Sequence, residues 1–127
     1  MKIEQLISPL DNRYNDKIAD LATNFSESNL NKVRFEIEIE WLIFLCSKGG
    51  KNFPALSKPN IKNLLALKNS FDEKSAKKIK SIESKTNHDV KAVEYFIRDE
   101  LKKSSSLKRY EHLVHFALTS EDVNSLS

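Results

Sequence analysis

The stretch ESNLNKVRFEIEIEWLIFLCSK, Glu27 to Lys48, decides the fold class, and its pattern admits two readings. Phe35, Ile37, Ile39 and Trp41 alternate with Glu36, Glu38 and Glu40, the period of a half-buried strand. Leu30, Val33, Ile37, Trp41, Phe44 and Leu45 follow helical spacing instead. Length decides between them. The stretch contains no glycine or proline and is far longer than an ordinary strand. Ser26 offers an N-cap and Gly49 a stop, which predicts a helix of about six turns at 3.6 residues per turn. Glutamates on several of its faces imply more than one packing neighbour.

Punctuation on either side frames this helix. Ser8-Pro9 breaks the chain before it, and Gly49, Gly50, Pro54 and Pro59 break it after. Two glycines in the whole chain are too few for an all-β domain with its many tight turns. Downstream, Ile61, Leu64, Leu65, Lys68 and Phe71 share one stripe, with Asn60 as the expected cap. Ser70 and Glu73 fit a capping box for a helix running to about Lys85, with Ala76, Ile79 and Ile82 facing inward. Val90, Val93, Ile97 and Leu101 predict a helix ending near Ser104. Tyr110, Leu113, Val114 and Ala117 predict another, and one more is expected to start after Ser120. The predicted class is all-α.

Composition narrows the function. A chain of 127 residues suits one domain, and 39% hydrophobic with 31% charged residues indicates a globular chain rather than a disordered one. The longest apolar run, Trp41 to Cys46, is too short to cross a bilayer, and Met1 to Gln5 does not read as a secretory signal. No membrane partner is expected. The lone Cys46 fits a reducing, cytoplasmic setting. Net charge is only +3, and Lys74, Lys77, Lys78 and Lys80 read as a solvated helix face. A nucleic-acid surface brings a stronger excess with interleaved aromatics, so no nucleic-acid partner is expected.

Three short segments carry residues that chemistry would use. Ser8 to Tyr14 is a turn-rich loop presenting Arg13 and Tyr14, which suit forked and hydroxyl bonds to a phosphate or carboxylate. Thr86-Asn87-His88-Asp89 stands where one helix ends and the next begins. Thr86, Asn87 or Asp89 would each serve as a cap, which leaves His88 unexplained. His112 to Asn124 contains Thr119 and Ser120 ahead of Glu121 and Asp122, a helix start with Ser120 as expected cap and free N–H groups suited to a carboxylate. His112 and His115, three apart, would share a helix face. Without further Cys or carboxylate ligands they are weak evidence for zinc, and no metal site is expected.

In this order and spacing the three segments resemble adenylosuccinate lyase, over essentially the whole chain. Ser8 to Tyr14 is similar to the family's Ser-Pro-Leu/Val-Asp-Gly-Arg-Tyr loop, with Asn12 in the place of its glycine. Asparagine tolerates left-handed backbone angles, so the turn can survive. Asn87 to Phe96 resembles the Asn-His-Asp-Val-Lys-Ala-Val-Glu-Tyr-Phe stretch of one bacterial branch, and His115 to Asn124 the His-Phe-x-x-Thr-Ser-x-Asp segment. The Thr-Ser element is shared with fumarase and argininosuccinate lyase. The first two segments make the resemblance specific.

The resemblance implies an anti β-elimination that releases fumarate from adenylosuccinate, giving AMP, and from the succinyl-carboxamide ribotide SAICAR, giving AICAR. It implies no metal or organic cofactor. Arg13 and Tyr14 would bind the nucleotide at its phosphate, with help from His115. Asn87, His88 and Asp89 would line the site, with His88 orienting substrate near the reacting centre. Thr119 and Ser120 would hold a carboxylate of the succinyl arm.

The implied fold is the multi-helix N-terminal domain of a fumarase/aspartase-type lyase over 1–118, with 119–127 opening the central helical domain. The family's general acid histidine, its base serine on a mobile loop and the long-helix bundle of its homotetramer would lie beyond Ser127. The chain stops as a helix begins, without a stop signal, and so reads as a piece of a longer protein that is inactive alone. The rival is a stand-alone helical interaction module derived from this domain.

Overall fold

The computed structural model describes residues 8–127, so the reading of Met1 to Gln5 lies outside the described residues. Six α-helices follow in order: α1 (Ala19–Phe25), α2 (Glu27–Lys48), α3 (Lys58–Lys68), α4 (Glu73–Thr86), α5 (Asp89–Lys102) and α6 (Ser120–Asn124). Short 3-10 turns stand at Pro9–Asp11, Asn15–Lys17, Gly50–Asn52 and Lys108–Leu113. The described residues are 73% helical, without a strand among them. No described helix is long and apolar enough to cross a membrane.

The deciding stretch is helical with the expected bounds. Ser26 Oγ accepts the Asn29 N–H at 3.2 Å, leaving one fewer orphan donor at the helix start. Gly49 closes the helix by another route than a left-handed turn, with φ −71°. A Cβ at Gly49 would stand 2.4 Å from the Leu45 carbonyl oxygen and 2.5 Å from the Phe53 ring, so close approach is what demands glycine.

α2 is the central element, packed against each of the other five helices or their flanking turns. Its core face shares only Leu45 with the apolar stripe read from the sequence. Asn31, Arg34, Phe35, Glu38, Ile39, Leu42, Leu45 and Cys46 are buried, whereas Leu30 and Phe44 are exposed. The helix is apolar on two flanks, and three polar residues sit on the inward one, so hydrophobicity alone pointed to the wrong side. Phe35, Ile39 and Leu42 join Leu64, Ile79, Val93, Ile97 and Leu101 in one core, with Phe35 and Phe96 ring centroids 5.6 Å apart. Each such buried side chain contributes about 1.5–3 kcal/mol relative to exposure. Cys46 is buried and free, and burial pushes its thiol pKa up.

Several helix starts differ from expectation. Ser57, not Asn60, caps α3, and Pro59 falls in the first turn, where its missing N–H has no helical partner to lose. Asp72, not Ser70, caps α4 by accepting the Ser75 N–H at 2.8 Å, while the Ser70 hydroxyl donates to the Leu67 carbonyl. The lysines of α4 are indeed on a solvated face: Lys77 pairs with Glu73, and Lys80 with Glu27 and Glu83.

The segment after α5 departs most. Lys108–Leu113 is a 3-10 turn rather than part of an α-helix through Ala117. His115 and Ala117 adopt left-handed φ of 63° and 61°, which stops any helix there. The helix expected to run on past Ser120 is five residues long and closes at Ser125, whose N–H donates to Glu121 O at 2.9 Å.

Candidate functional site

Two of the three sequence segments are seated on α2. Arg34, buried, reaches both at once: its Nη2 stands 2.8 Å from Asp89 Oδ2, and its Nε donates to Asn124 Oδ1 at 3.0 Å. Its Nη1 faces Asn31 Oδ1 at 3.5 Å. One turn on, Glu38 Oε1 meets His115 Nδ1. A further turn on, the Trp41 indole N–H donates to the Phe116 carbonyl at 2.8 Å. Arg34, Glu38 and Trp41 recur at the i, i+4, i+7 spacing of one helix side. That stripe holds the start of α5, the turn 115–117 and the end of α6 against one scaffold. Glu38 grips left-handed His115, and Trp41 grips the carbonyl of Phe116, between the two left-handed residues His115 and Ala117, so tertiary contacts override the helical pattern.

His88 is the N-cap of α5, which corrects the expectation that Thr86, Asn87 or Asp89 would fill that place. Its Nδ1 accepts the Lys91 N–H at 3.2 Å. A ring nitrogen that accepts a backbone N–H carries no hydrogen, so in the neutral ring the hydrogen is on Nε2. That edge belongs to a side chain 50% exposed, free to donate outward. Asn87 closes α4 in a left-handed conformation, φ 51°, with its N–H on Glu83 O at 2.8 Å. Asp89 opens α5 with Oδ1 accepting the Val90 N–H at 2.8 Å. Burial works to raise the Asp89 pKa, but the Val90 bond and the Arg34 charge outweigh it and hold the carboxyl below its ordinary value.

Thr119, not Ser120, caps α6. Its Oγ1 accepts the Asp122 N–H at 3.3 Å while Asp122 Oδ2 accepts the Thr119 N–H at 2.7 Å, a reciprocal capping box. The main-chain and hydroxyl bonds from Thr119 hold Asp122 below the usual carboxylate range. Thr119 Oγ1 is thereby engaged. Ser120 stands in the first turn, and its hydroxyl makes no hydrogen bond to a described residue.

The first segment stays apart. Ser8 Oγ accepts the Leu10 N–H at 3.1 Å and the Tyr14 N–H donates to Pro9 O at 3.0 Å, so the loop folds on itself. The Arg13 guanidinium stacks over the neighbouring Tyr14 ring at 5.4 Å. Both are exposed, and the loop packs on the Asn15–Lys17 turn rather than on α5 or α6.

His112 is exposed on the 3-10 turn, while His115 turns onto Glu38, so the two do not form a shared face. Among the described residues no group of three or more His, Cys, Asp or Glu side chains is gathered as a metal ion requires. Beside α6 an open groove of about 1040 Å³ runs along α2, lined by Val33, Ile37, Trp41, Phe44, Leu118 and Leu126 among others. It takes up the apolar stripe that does not face the core. Arg34 and Glu38 were missed in the sequence; their signal was polarity recurring inside an otherwise apolar helix, at Asn31, Arg34 and Glu38.

No family model matches the chain. It is, however, 44% identical over 122 residues to the adenylosuccinate lyase of Escherichia coli (strain K12), a match covering 95% of this chain. It is 43% identical over 122 residues to the adenylosuccinate lyase of Haemophilus influenzae, and 40% over 124 residues to that of Buchnera aphidicola subsp. Schizaphis graminum, again over 95% of this chain. The chain spans 27% of the length of each of these curated relatives. Along nearly its whole length, then, the chain is similar to the N-terminal part of these adenylosuccinate lyases.

Proposed function

We propose that this chain is the substrate-holding portion of an adenylosuccinate lyase, acting in purine biosynthesis in the cytoplasm. The whole enzyme would eliminate fumarate from adenylosuccinate and from SAICAR, as a homotetramer with shared sites and without metal or organic cofactor. Residues 1–118 form its N-terminal helical domain, and 119–127 open the central one. Arg13 and Tyr14 take the nucleotide phosphate, helped by His115. Asn87, His88 and Asp89 line the site, with His88 orienting the substrate through its outward Nε2 edge. Ser120, and the start of α6 that Thr119 caps, receive a carboxylate of the succinyl arm. Each charge-assisted bond of this kind contributes about 1.5–3 kcal/mol.

The observation that supports this reading most is the stripe on α2. Arg34 and Glu38 bring residues 87–89 and 115–124 onto one scaffold, as two segments serving one ligand require. The general acid and base implied by the family resemblance are not among these residues, so the chain alone binds without turnover.

Two measurements on the 127-residue chain test this. Adenylosuccinate in the millimolar range, about 4 kcal/mol of binding, is expected to shift the NMR resonances of Arg13, His88, His115 and Ser120. No fumarate is expected to form. Unmoved resonances at these positions overturn the binding assignment, and fumarate release overturns the predicted inactivity.

The groove beside α6 favours a second reading, a helical interaction module. Its apolar lining, with Phe44 52% exposed, suits a partner helix. A chain that ignores adenylosuccinate but binds an amphipathic helix through Phe44 and Leu118 would support the module instead.

A further inference from the structure

Glu38 is fully buried, at 0% exposure, in the middle of α2. Its Oε1 meets His115 Nδ1, and its Oε2 has no hydrogen-bond partner among the described residues. An acid so placed is costly unless a specific contact compensates it. Three charged groups stand around the pair. On α2 itself, Arg34 is already committed to Asp89 and Asn124. From α5 comes Glu94, a second buried carboxylate whose charge acts on Glu38. Glu94 is held in turn by Lys91 at 2.8 Å and Arg98 at 3.3 Å. From α6, Asp122 is turned to Thr119. Burial pushes the Glu38 carboxyl up, His115 draws it down, and Glu94 adds to the rise. His115 is therefore its compensating partner.

The proton between Glu38 and His115 has three possible placements. A carboxylate facing a neutral ring with its hydrogen on Nδ1 would bury a net negative charge beside Glu94, which is the unfavourable case. A carboxylate facing an imidazolium carries no net charge. Neither does a carboxylic acid donating to Nδ1 of a neutral ring. Both uncharged placements leave a hydrogen on Nε2. The His115 side chain keeps 18% exposure, and Nε2 makes no hydrogen bond to a described residue.

We infer that Glu38 is a positioning residue that holds His115 as an Nε2–H donor directed at an anionic oxygen of the ligand. The inference rests on the reading of His115 as a ligand contact. It adds that a donor, not an acceptor, faces the ligand there, and that the buried end of the pair decides it. The left-handed backbone at His115 is the conformation in which the ring reaches Glu38. A phosphate or a carboxylate oxygen would satisfy such a donor.

The test is long-range ¹H–¹⁵N NMR on the 127-residue chain labelled at histidine nitrogen, near neutral pH. The expected spectrum shows His115 Nε2 as a protonated nitrogen. An unprotonated Nε2 overturns the inference without any variant. Glu38→Leu should release the ring to exchange between tautomers, while Glu38→Gln, whose amide can donate to Nδ1, should restore the Nε2–H signal. A Glu38→Leu chain with the unaltered His115 signature overturns it as well. If that variant fails to fold, the unsubstituted chain still decides.

Adenylosuccinate is then titrated in, with inorganic phosphate and succinate as separate arms. The Nε2–H signal should move, and the arm that moves it alone tells phosphate from carboxylate. The apparent affinity should fall about tenfold in Glu38→Leu, roughly the share of one charge-assisted bond. A protonated Nε2 that no probe perturbs would leave the pairing standing and overturn the ligand half of the inference. That outcome separates failure here from failure of the substrate reading, which shows at Arg13, His88 and Ser120.

Discussion

Arg34 and Asp89 meet at 2.8 Å, joining the middle of α2 to the first residue of α5. The same guanidinium bonds Asn124 at 3.0 Å, so one side chain ties together two segments 35 positions apart in sequence, 89 and 124. Arg34 is 6% exposed, whereas the Asp89 side chain is 48% exposed. The guanidinium fork suits this geometry because it presents several donors in a fixed plane.

Replacing it should therefore be felt at both ends. Arg34→Met is expected to cost about 2–3 kcal/mol, the range for losing charge-assisted bonds from a buried group. Urea denaturation gives the magnitude. NMR should show shifts at both 87–90 and 120–124, and changes confined to α2 would contradict the bridging role.

The pair also sets a pH dependence. Asp89 has its folded pKa depressed, so its contribution is fully present above the unfolded value and is lost as pH falls through the folded one. Because unfolded aspartate titrates near about 3.9, the loss should be read as pH drops from about 5 toward 2. Asp89→Asn is expected to flatten that part of the stability curve measured by urea unfolding at successive pH values. An equally steep decline in the variant would assign the acid sensitivity to other carboxylates.

These relationships were only partly legible in the sequence. The length of 27–48 without glycine or proline decided helix against strand, and the helix has those bounds. The stripe at Leu30, Val33, Ile37, Trp41, Phe44 and Leu45 was equally regular, yet only Leu45 of it is buried and Val33, Ile37, Trp41 and Phe44 line the groove, because the true core face carries Asn31, Arg34 and Glu38. Periodicity counts apolar residues, so a face stabilised partly by buried ion pairs escapes it. Ser70 and Ser120 were local matches to cap patterns whose neighbours Asp72 and Thr119 hold the geometry. In these two cases local sequence placed the cap within a residue or two, and only the backbone chooses which side chain fills it. The turn 114–118 was the least readable, since its contacts at His115 and Phe116 come from Glu38 and Trp41, 77 and 75 positions away.

The two glycines should respond to substitution for different reasons. Gly49→Ala would press its Cβ to 2.4 Å from the Leu45 carbonyl and 2.5 Å from the Phe53 ring, an overpacking cost of about 1–3 kcal/mol. Gly50→Ala meets open space, but φ of +79° makes it a backbone cost of about 1 kcal/mol. A thermal melt on each variant checks the order. Truncating Phe53 should recover part of the loss in the Gly49→Ala chain and none of it in the Gly50→Ala chain.

His88 offers the sharpest separation of structure from function. Its Nδ1 caps α5, so His88→Ala should destabilise the chain by about 1 kcal/mol, the usual cost of a lost N-cap. Asparagine is a good N-cap, so His88→Asn should recover most of that stability while supplying no imidazole Nε2–H. If His88 orients substrate, both variants lose the adenylosuccinate-induced shifts at Asn87 and Asp89, although only one of them is destabilised. Should His88→Asn keep those shifts at unchanged affinity, the histidine is a cap and nothing more. The pair of variants is decisive because the two roles use opposite edges of one ring, and asparagine replaces only the inner edge.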